Sequence, residues 1–343
     1  MSVPAYSDIS KSANDLLNKD FYHLSAGTIE VKSNTPNNVA FKVTGKSSHE
    51  KATTGALEGK YSDKARGKST RSSQLYRKKL ARGQPTVVTA TLGPIAVPGA
   101  CRQWPLDFSV FLTQQVSTLL MMYHGTGLTL TQTWNTANAL ESKVELADSI
   151  AKGLKAEGIF SFLPAAQSQG AKLNLTFKQS AFHGRAFFDL LKGPTANVDA
   201  VIGHEGFLAG ASAGFNVQKG EVTGYSAAVG FHAPQYNAAI TASDNLTIFA
   251  ASYYHKVNSQ VEAGAKATWN SKNSNAVGLE VASKYRLDPV SFAKGKINDR
   301  GVAAVSYNVL LRPGVTLGLG ASFDTQKLEQ ATHKVGASFT FES

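Results

Sequence analysis

The chain has 343 residues, 42% of them hydrophobic, with a mean hydropathy of -0.16. That excludes a bundle of apolar helices, each of which needs about 20 consecutive apolar residues, but a barrel of alternating strands passes the same filter unseen. The formal charge of +11 would suggest nucleic acid as a partner. It is concentrated, however: residues 66–125 hold eight basic side chains against Asp107, a net +7 that leaves +4 over the other 283 residues, so nucleic acid is not expected.

Residues 5–20 carry helical periodicity, with Ser7 as the expected N-cap. Ile9, Ala13, Leu16, Leu17 and Phe21 form one apolar stripe, and Lys11, Asn14, Asp15, Asn18 and Lys19 occupy the opposite face. Ser2 to Asp20 is polar and amphipathic, so no cleavable secretory signal is expected. From Gly27 the period becomes two. Residues 28–32 and 39–44 alternate around an Asn/Pro turn, the signature of a hairpin, and residues 56–61 begin a further strand.

Residues 66–125 break this grammar. They open with a Ser/Arg/Lys stretch and contain four of the eleven prolines, the only cysteine (Cys101) and two of the three methionines. Their lack of a sustained period predicts a disordered insertion. With a single cysteine, no intrachain disulfide and no cysteine-built metal or redox pair is expected.

Alternation resumes after Thr126. Leu128, Leu130, Gln132 and Trp134 share one face, and Thr129, Thr131 and Thr133 the other. Residues 173–178, 261–269, 277–285 and 303–309 repeat the pattern, separated by turn-forming segments. The last thirty residues form a terminal hairpin. In it Val315, Leu317, Leu319, Ala321 and Phe323 oppose Gly318, Gly320 and Ser322, and Val335, Ala337, Phe339 and Phe341 oppose Lys334, Gly336 and Ser338. No long helical pattern intervenes, which excludes parallel βαβ architecture. The fold class is all-β, either a soluble sandwich or a membrane barrel. The polar face, rich in Lys, Glu, Thr and Asn, suits a wet lumen, and Trp269, Tyr285 and Tyr307 near run ends suit an interfacial belt.

Fragments of catalytic motifs do not survive their spacing. Gly45-Lys46-Ser47 and Gly67-Lys68-Ser69-Thr70 lack the glycine five residues upstream that a phosphate loop requires. His204-Glu205 has Leu208 where a zinc-binding helix needs its second histidine. No nucleophile and base stand at a defensible spacing, so no enzyme and no cofactor are expected.

VPAYSDISKSANDLLNKDFYHL (residues 3–24), the Gly153-Leu154-Lys155 element, YYHKVNSQVEAGAKATWN (residues 253–270), YRLDP and LLRPGVTLG occur in one order along the chain. This set resembles the mitochondrial porins, or voltage-dependent anion channels, and most of all their fungal members. The resemblance covers nearly everything outside residues 66–125. It implies a 19-stranded transmembrane β-barrel over residues 26–343, interrupted at 66–125, with the helical segment of residues 1–25 inside the pore. It further implies a voltage-gated, weakly anion-selective channel of the mitochondrial outer membrane that passes ions and metabolites such as ATP and ADP. The implied partners are membrane lipid, these permeants, and the mitochondrial import and barrel-assembly machinery. The rival readings are a related barrel for protein translocation and a soluble all-β ligand carrier.

By the same resemblance, Asp15 and Lys19 are linked to gating and Lys155 to nucleotide interaction. Lys42, Lys266 and Lys284, with Lys294, Lys296 and Lys334, would raise the anion concentration in the lumen. Lys334, Gly336, Phe339 and Phe341 fit the family's sorting signal. Lys143 is matched to a membrane-facing glutamate that animal members use for hexokinase binding, so that partner is not expected here. Joining Ala65 to Thr126 restores KYSDKA–TGLTLTQTWN, a continuous hairpin of the family.

Overall fold

The computed structural model describes residues 3–35, 38–50, 52–62, 128–148, 151–191, 193, 195–272, 277–329 and 333–343. The expected insertion at 66–125 lies outside them. Helix α1 spans Lys11–Asn18, between 3-10 turns at Tyr6–Asp8 and Tyr22–Leu24. The strands begin with β1 (Gly27–Asn34), β2 (Val39–Ser47), β3 (Thr53–Ser62), β4 (Leu128–Asn135), β5 (Leu140–Ala147) and β6 (Leu154–Leu163). There follow β7 (Ser168–Lys178), β8 (Phe182–Asp189), β9 (Thr195–His204), β10 (Phe207–Asn216), β11 (Glu221–His232), β12 (Tyr236–Ser243) and β13 (Ile248–Lys256). The last six are β14 (Val261–Asn270), β15 (Val277–Asp288), β16 (Ser291–Asn298), β17 (Val302–Arg312), β18 (Val315–Asp324) and β19 (Lys334–Glu342).

Each strand pairs antiparallel with its neighbour in sequence, and β1 pairs parallel with β19, from Gly27 opposite Ala337 to Lys32 opposite Glu342. The sheet is therefore closed, with 19 strands and no edge, which removes the unpaired N–H and C=O rows that lipid could not satisfy. β3 and β4 are partners, with Ser62 opposite Thr129, so residues 63–127 connect two adjacent hairpin strands.

One face of this sheet is an apolar band. Ile29, Val31, Phe41, Val43, Val198, Ile202, Val229, Ile240, Leu279, Val281, Val305 and Leu319 are all exposed. A contiguous apolar surface of that extent is not tolerated in water. Among the described residues no second layer covers it, so the sandwich and the soluble carrier fall away and the band faces lipid. Trp269, Tyr285 and Tyr307 all lie on it. Trp269 is the penultimate residue of β14, stacked on Phe249 at 5.6 Å. Tyr307, expected near a strand end, sits mid-strand because β17 runs on to Arg312.

Candidate conduction pathway

The N-terminal segment touches β9 and β10 through its first 3-10 turn, β13 to β15 through α1, and β18 and β19 through its second turn. Only an element inside a closed barrel reaches the same face of strands so far apart. The stripe read from the sequence faces the wall: Ile9, Ala13, Leu16, Leu17 and Phe21 are all buried. Asp15, Asn18 and Lys19 remain exposed on the side facing the open lumen. The expected cap is corrected. Ser7 lies in the 3-10 turn, and Ser10 precedes α1 without a side-chain cap bond, its hydroxyl instead accepting from Asn14 Nδ2 at 2.9 Å. An eight-residue helix is marginal alone, so the wall supplies most of its stability.

Three anchors hold the segment. At the first, Val3, Tyr6 and Ile9 pack on Val201, Leu208, Ala228 and Ala239, and His183 Nδ1–H donates to the Val3 carbonyl at 3.2 Å. At the second, Leu16 and Leu17 pack on Ala282 and Tyr254, and Lys266 Nζ donates to Asn14 Oδ1 at 3.3 Å. The third holds the end of the helix. Lys294 Nζ donates to the carbonyls of Lys19 at 2.6 Å and Asp15 at 3.2 Å and lies 3.7 Å from the Asp20 carboxylate. The Phe21 ring sits 5.1 Å from Lys294 Nζ and 4.8 Å from Lys296 Nζ, within cation–π range. Lys294 is therefore no free lumen charge, contrary to its reading as an anion-attracting lysine.

Inner-face glycines make this contact possible. A Cβ on Gly264 would lie 2.9 Å from Leu16 Cδ2, and one on Gly230 2.9 Å from Ile9 Cγ2. On β18 a Cβ at Gly320 would lie 2.7 Å from the Tyr22 backbone nitrogen. Cβ atoms at Gly318 and Gly336 would collide with the Tyr22 ring and with the Tyr22 and Ser25 carbonyls. The glycines of the terminal hairpin are thus the floor on which the linker from helix to barrel lies. That linker is tied further by Asn308, which donates to the Tyr22 hydroxyl, and by His49 Nε2–H, which donates to the His23 carbonyl at 2.8 Å. His23 is buried with Nδ1 unpartnered. Burial first, then Lys296, Lys334 and His49, hold its pKa below the ordinary histidine value.

The remaining predicted residues are spread over the wall. Lys42 and Lys32 both contact Glu30 at 3.0 Å. Lys284 lies 3.6 Å from Glu262 and 4.6 Å from the centre of the Phe292 ring. Lys155 bridges Glu157 at 2.6 Å and Glu145 at 3.1 Å, and Lys143 bridges the same pair at 3.4 Å and 2.6 Å. This quartet is locally neutral. It also corrects the match at Lys143, which points into the lumen. The lipid face of β5 carries Ser142, Val144 and Leu146, with Gln132 of β4 opposite Ser142. In β19, Phe339 and Phe341 face lipid opposite Ile29 and Val31, while Lys334 and Gly336 face inward. Sequence reasoning missed the Arg185–Asp199 pair, bidentate at 2.8 to 3.1 Å with Asp199 buried. Its only signal is the register that sets Arg185 opposite Asp199.

Comparison with known proteins agrees with this architecture. The eukaryotic porin family profile matches residues 2–76 and 109–336. A Neurospora crassa protein named mitochondrial outer membrane protein porin is 67% identical over 343 residues, covering all of both chains. Saccharomyces cerevisiae non-selective voltage-gated ion channel 1 is 34% identical over 347 residues, again covering all of both. Human non-selective voltage-gated ion channel VDAC1 is 32% identical over 218 residues, 63% of this chain and 76% of its own.

Proposed function

The chain belongs to the eukaryotic porin family, and on that premise we propose that its lumen is a voltage-gated, weakly anion-selective path for ions and metabolites such as ATP and ADP. It is a channel of the mitochondrial outer membrane, not an enzyme, and the full-length likeness to proteins named porin and voltage-gated ion channel favours it over the protein-translocating barrel. The observation that carries the reading is the N-terminal segment running along the inner wall of a closed 19-stranded barrel, from β9 to β19. Nineteen strands about 4.8 Å apart, tilted by about 40°, put the backbone walls roughly 38 Å from each other. Side chains and a helix about 10 Å across still leave an opening on the order of 15 Å. A hydrated nucleotide fits such an opening.

Anion preference rests on the lumen lysines. Lys42, Lys266 and Lys284 act as a field on mobile ions rather than as a binding site. Glu30 and Glu262 offset Lys42 and Lys284, which keeps the preference weak, whereas Lys266 bonds only the neutral Asn14 and keeps its charge. Asp15 and Lys19 carry the gating charge of the helix. Lys155 meets a passing nucleotide phosphate by exchanging one of its two glutamates for it. Lys334, Gly336, Phe339 and Phe341 serve as the sorting signal read by the import and barrel-assembly machinery. The test is the reversal potential of the reconstituted channel under a salt gradient, together with uptake of labelled ATP into liposomes. An anion-directed potential with ATP uptake supports the reading, whereas a cation-directed potential or ATP exclusion overturns it.

A further inference from the structure

We propose that Lys294 is a latch that holds the C-terminal end of α1 on the wall and thereby sets the voltage at which the channel closes. The inference rests on the voltage-gated reading above. Its side chain is only 2% exposed, and a buried ammonium is costly unless fully paired. Its close partners belong to the N-terminal segment: the carbonyls of Asp15 and Lys19, the Asp20 carboxylate and the Phe21 ring. The wall offers less in exchange, because its nearby carboxylate, Glu262, already contacts Lys284 at 3.6 Å. Its register neighbours are Lys284, of like charge, and Ser306, whose buried hydroxyl has no partner.

The geometry is that of a cation at a helix C-terminus. The last carbonyls of a helix lack intrahelical donors and carry the negative end of its dipole. Here the donor comes from a residue 275 positions away along the chain, so it ties the helix to the barrel rather than merely finishing it. When the segment leaves the wall, the Lys19 carbonyl loses its donor, the Asp15 carbonyl keeps only the intrahelical bond from the Lys19 N–H, and Lys294 becomes a hydrated lumen cation. Docking of the helix and the charge of the lumen are thus coupled at this one side chain. Lys294 is a positioning residue. It touches no permeant in the docked state and acts through the helix.

The test compares Lys294→Met with Lys42→Met, which removes a lumen lysine that touches no part of the segment. Both are refolded with a spin label at Asn18→Cys in a Cys101→Ser background, and both are recorded in planar bilayers. Loss of two charge-assisted hydrogen bonds predicts a fall of about a hundredfold or more in the open-to-closed ratio at a given voltage, with half-closure moved toward zero. The label becomes mobile in Lys294→Met and stays ordered in Lys42→Met. Equal label order in the two variants and wild type, or equal shifts in closing voltage, overturns the latch. Should Lys294→Met not refold, Lys294→Gln, which keeps a shorter, neutral amide donor and loses the charge, gives a shift in the same direction, and its absence has the same force. A wild-type channel that does not close with voltage overturns the gating reading instead, and label mobility still reports on the latch.

Discussion

Substituting Gly320 with alanine sets a methyl group 2.7 Å from the backbone nitrogen of Tyr22 and 2.8 Å from that of His23. Ordinary contact begins at 3.4 Å, so linker and strand must separate by about 0.7 Å. The atoms in the way are backbone, which cannot rotate aside as a side-chain tip can. The same move strains the His49 bond to the His23 carbonyl and the Asn308 bond to the Tyr22 hydroxyl. Overpacking of this kind costs about 1–3 kcal/mol, or roughly a five- to hundredfold loss in the docked-to-undocked ratio of the linker. The control is Gly295→Ala on the lipid face of β16, where an added Cβ meets nothing within 4 Å. Hydrogen exchange of the refolded protein, followed by mass spectrometry over residues 15–25, reads the effect. Exchange accelerates in Gly320→Ala and not in Gly295→Ala. Unchanged protection in Gly320→Ala would refute the view that the glycine floor seats the linker.

Acidification acts on the same place. Because the pKa of His23 is depressed in the docked state, the undocked linker binds more protons, and docking weakens as pH falls below the ordinary value of 6.5. After correction for the intrinsic exchange rate, which itself slows as pH falls, protection over residues 19–25 should drop between pH 7.5 and 5, and His23→Gln should flatten that drop; wild-type protection independent of pH would contradict it. Charge reversal at Asp15 or Lys19, both exposed on the helix, should change the steepness of voltage-dependent closure with little loss of barrel stability, since neither side chain is packed. Identical gating curves in both mutants would remove them from the gating site. Deleting residues 66–125, so that Ala65 joins Thr126, should leave the barrel and its conductance intact, because Ser62 and Thr129 are register partners in one hairpin. Failure of the deleted chain to refold into a detergent-resistant barrel would make the segment integral to the fold.

The strands were legible because a period of two needs only local information. Once apolar side chains alternate, the lipid face follows, as in Val315, Leu317 and Leu319 of β18. The same rule would have placed Lys143 in the lumen, between the outward-facing Ser142 and Val144. The helix stripe was legible at period 3.6, but its docking ground was not, since Leu16 meets Gly264 and Lys19 meets Lys294 only after closure brings distant strands together. For the same reason Lys294 looks like its neighbour Lys296 in sequence, yet one is a buried tie to the helix end and the other only lies over the Phe21 ring. The glycines of β18 and β19 read as small residues on a polar face. Their purpose became visible only with Tyr22 lying on them.

The most direct test of the account is a voltage ramp on single channels of the refolded chain in a planar bilayer, with and without covalent attachment of α1 to the wall through a Leu16→Cys, Gly264→Cys pair in a Cys101→Ser background. A large conductance that falls at either polarity, and that no longer falls once the disulfide fixes the helix, is the result predicted. A channel that closes equally well with the helix fixed, or a chain that conducts nothing, would contradict the claim that this barrel gates by releasing its N-terminal segment.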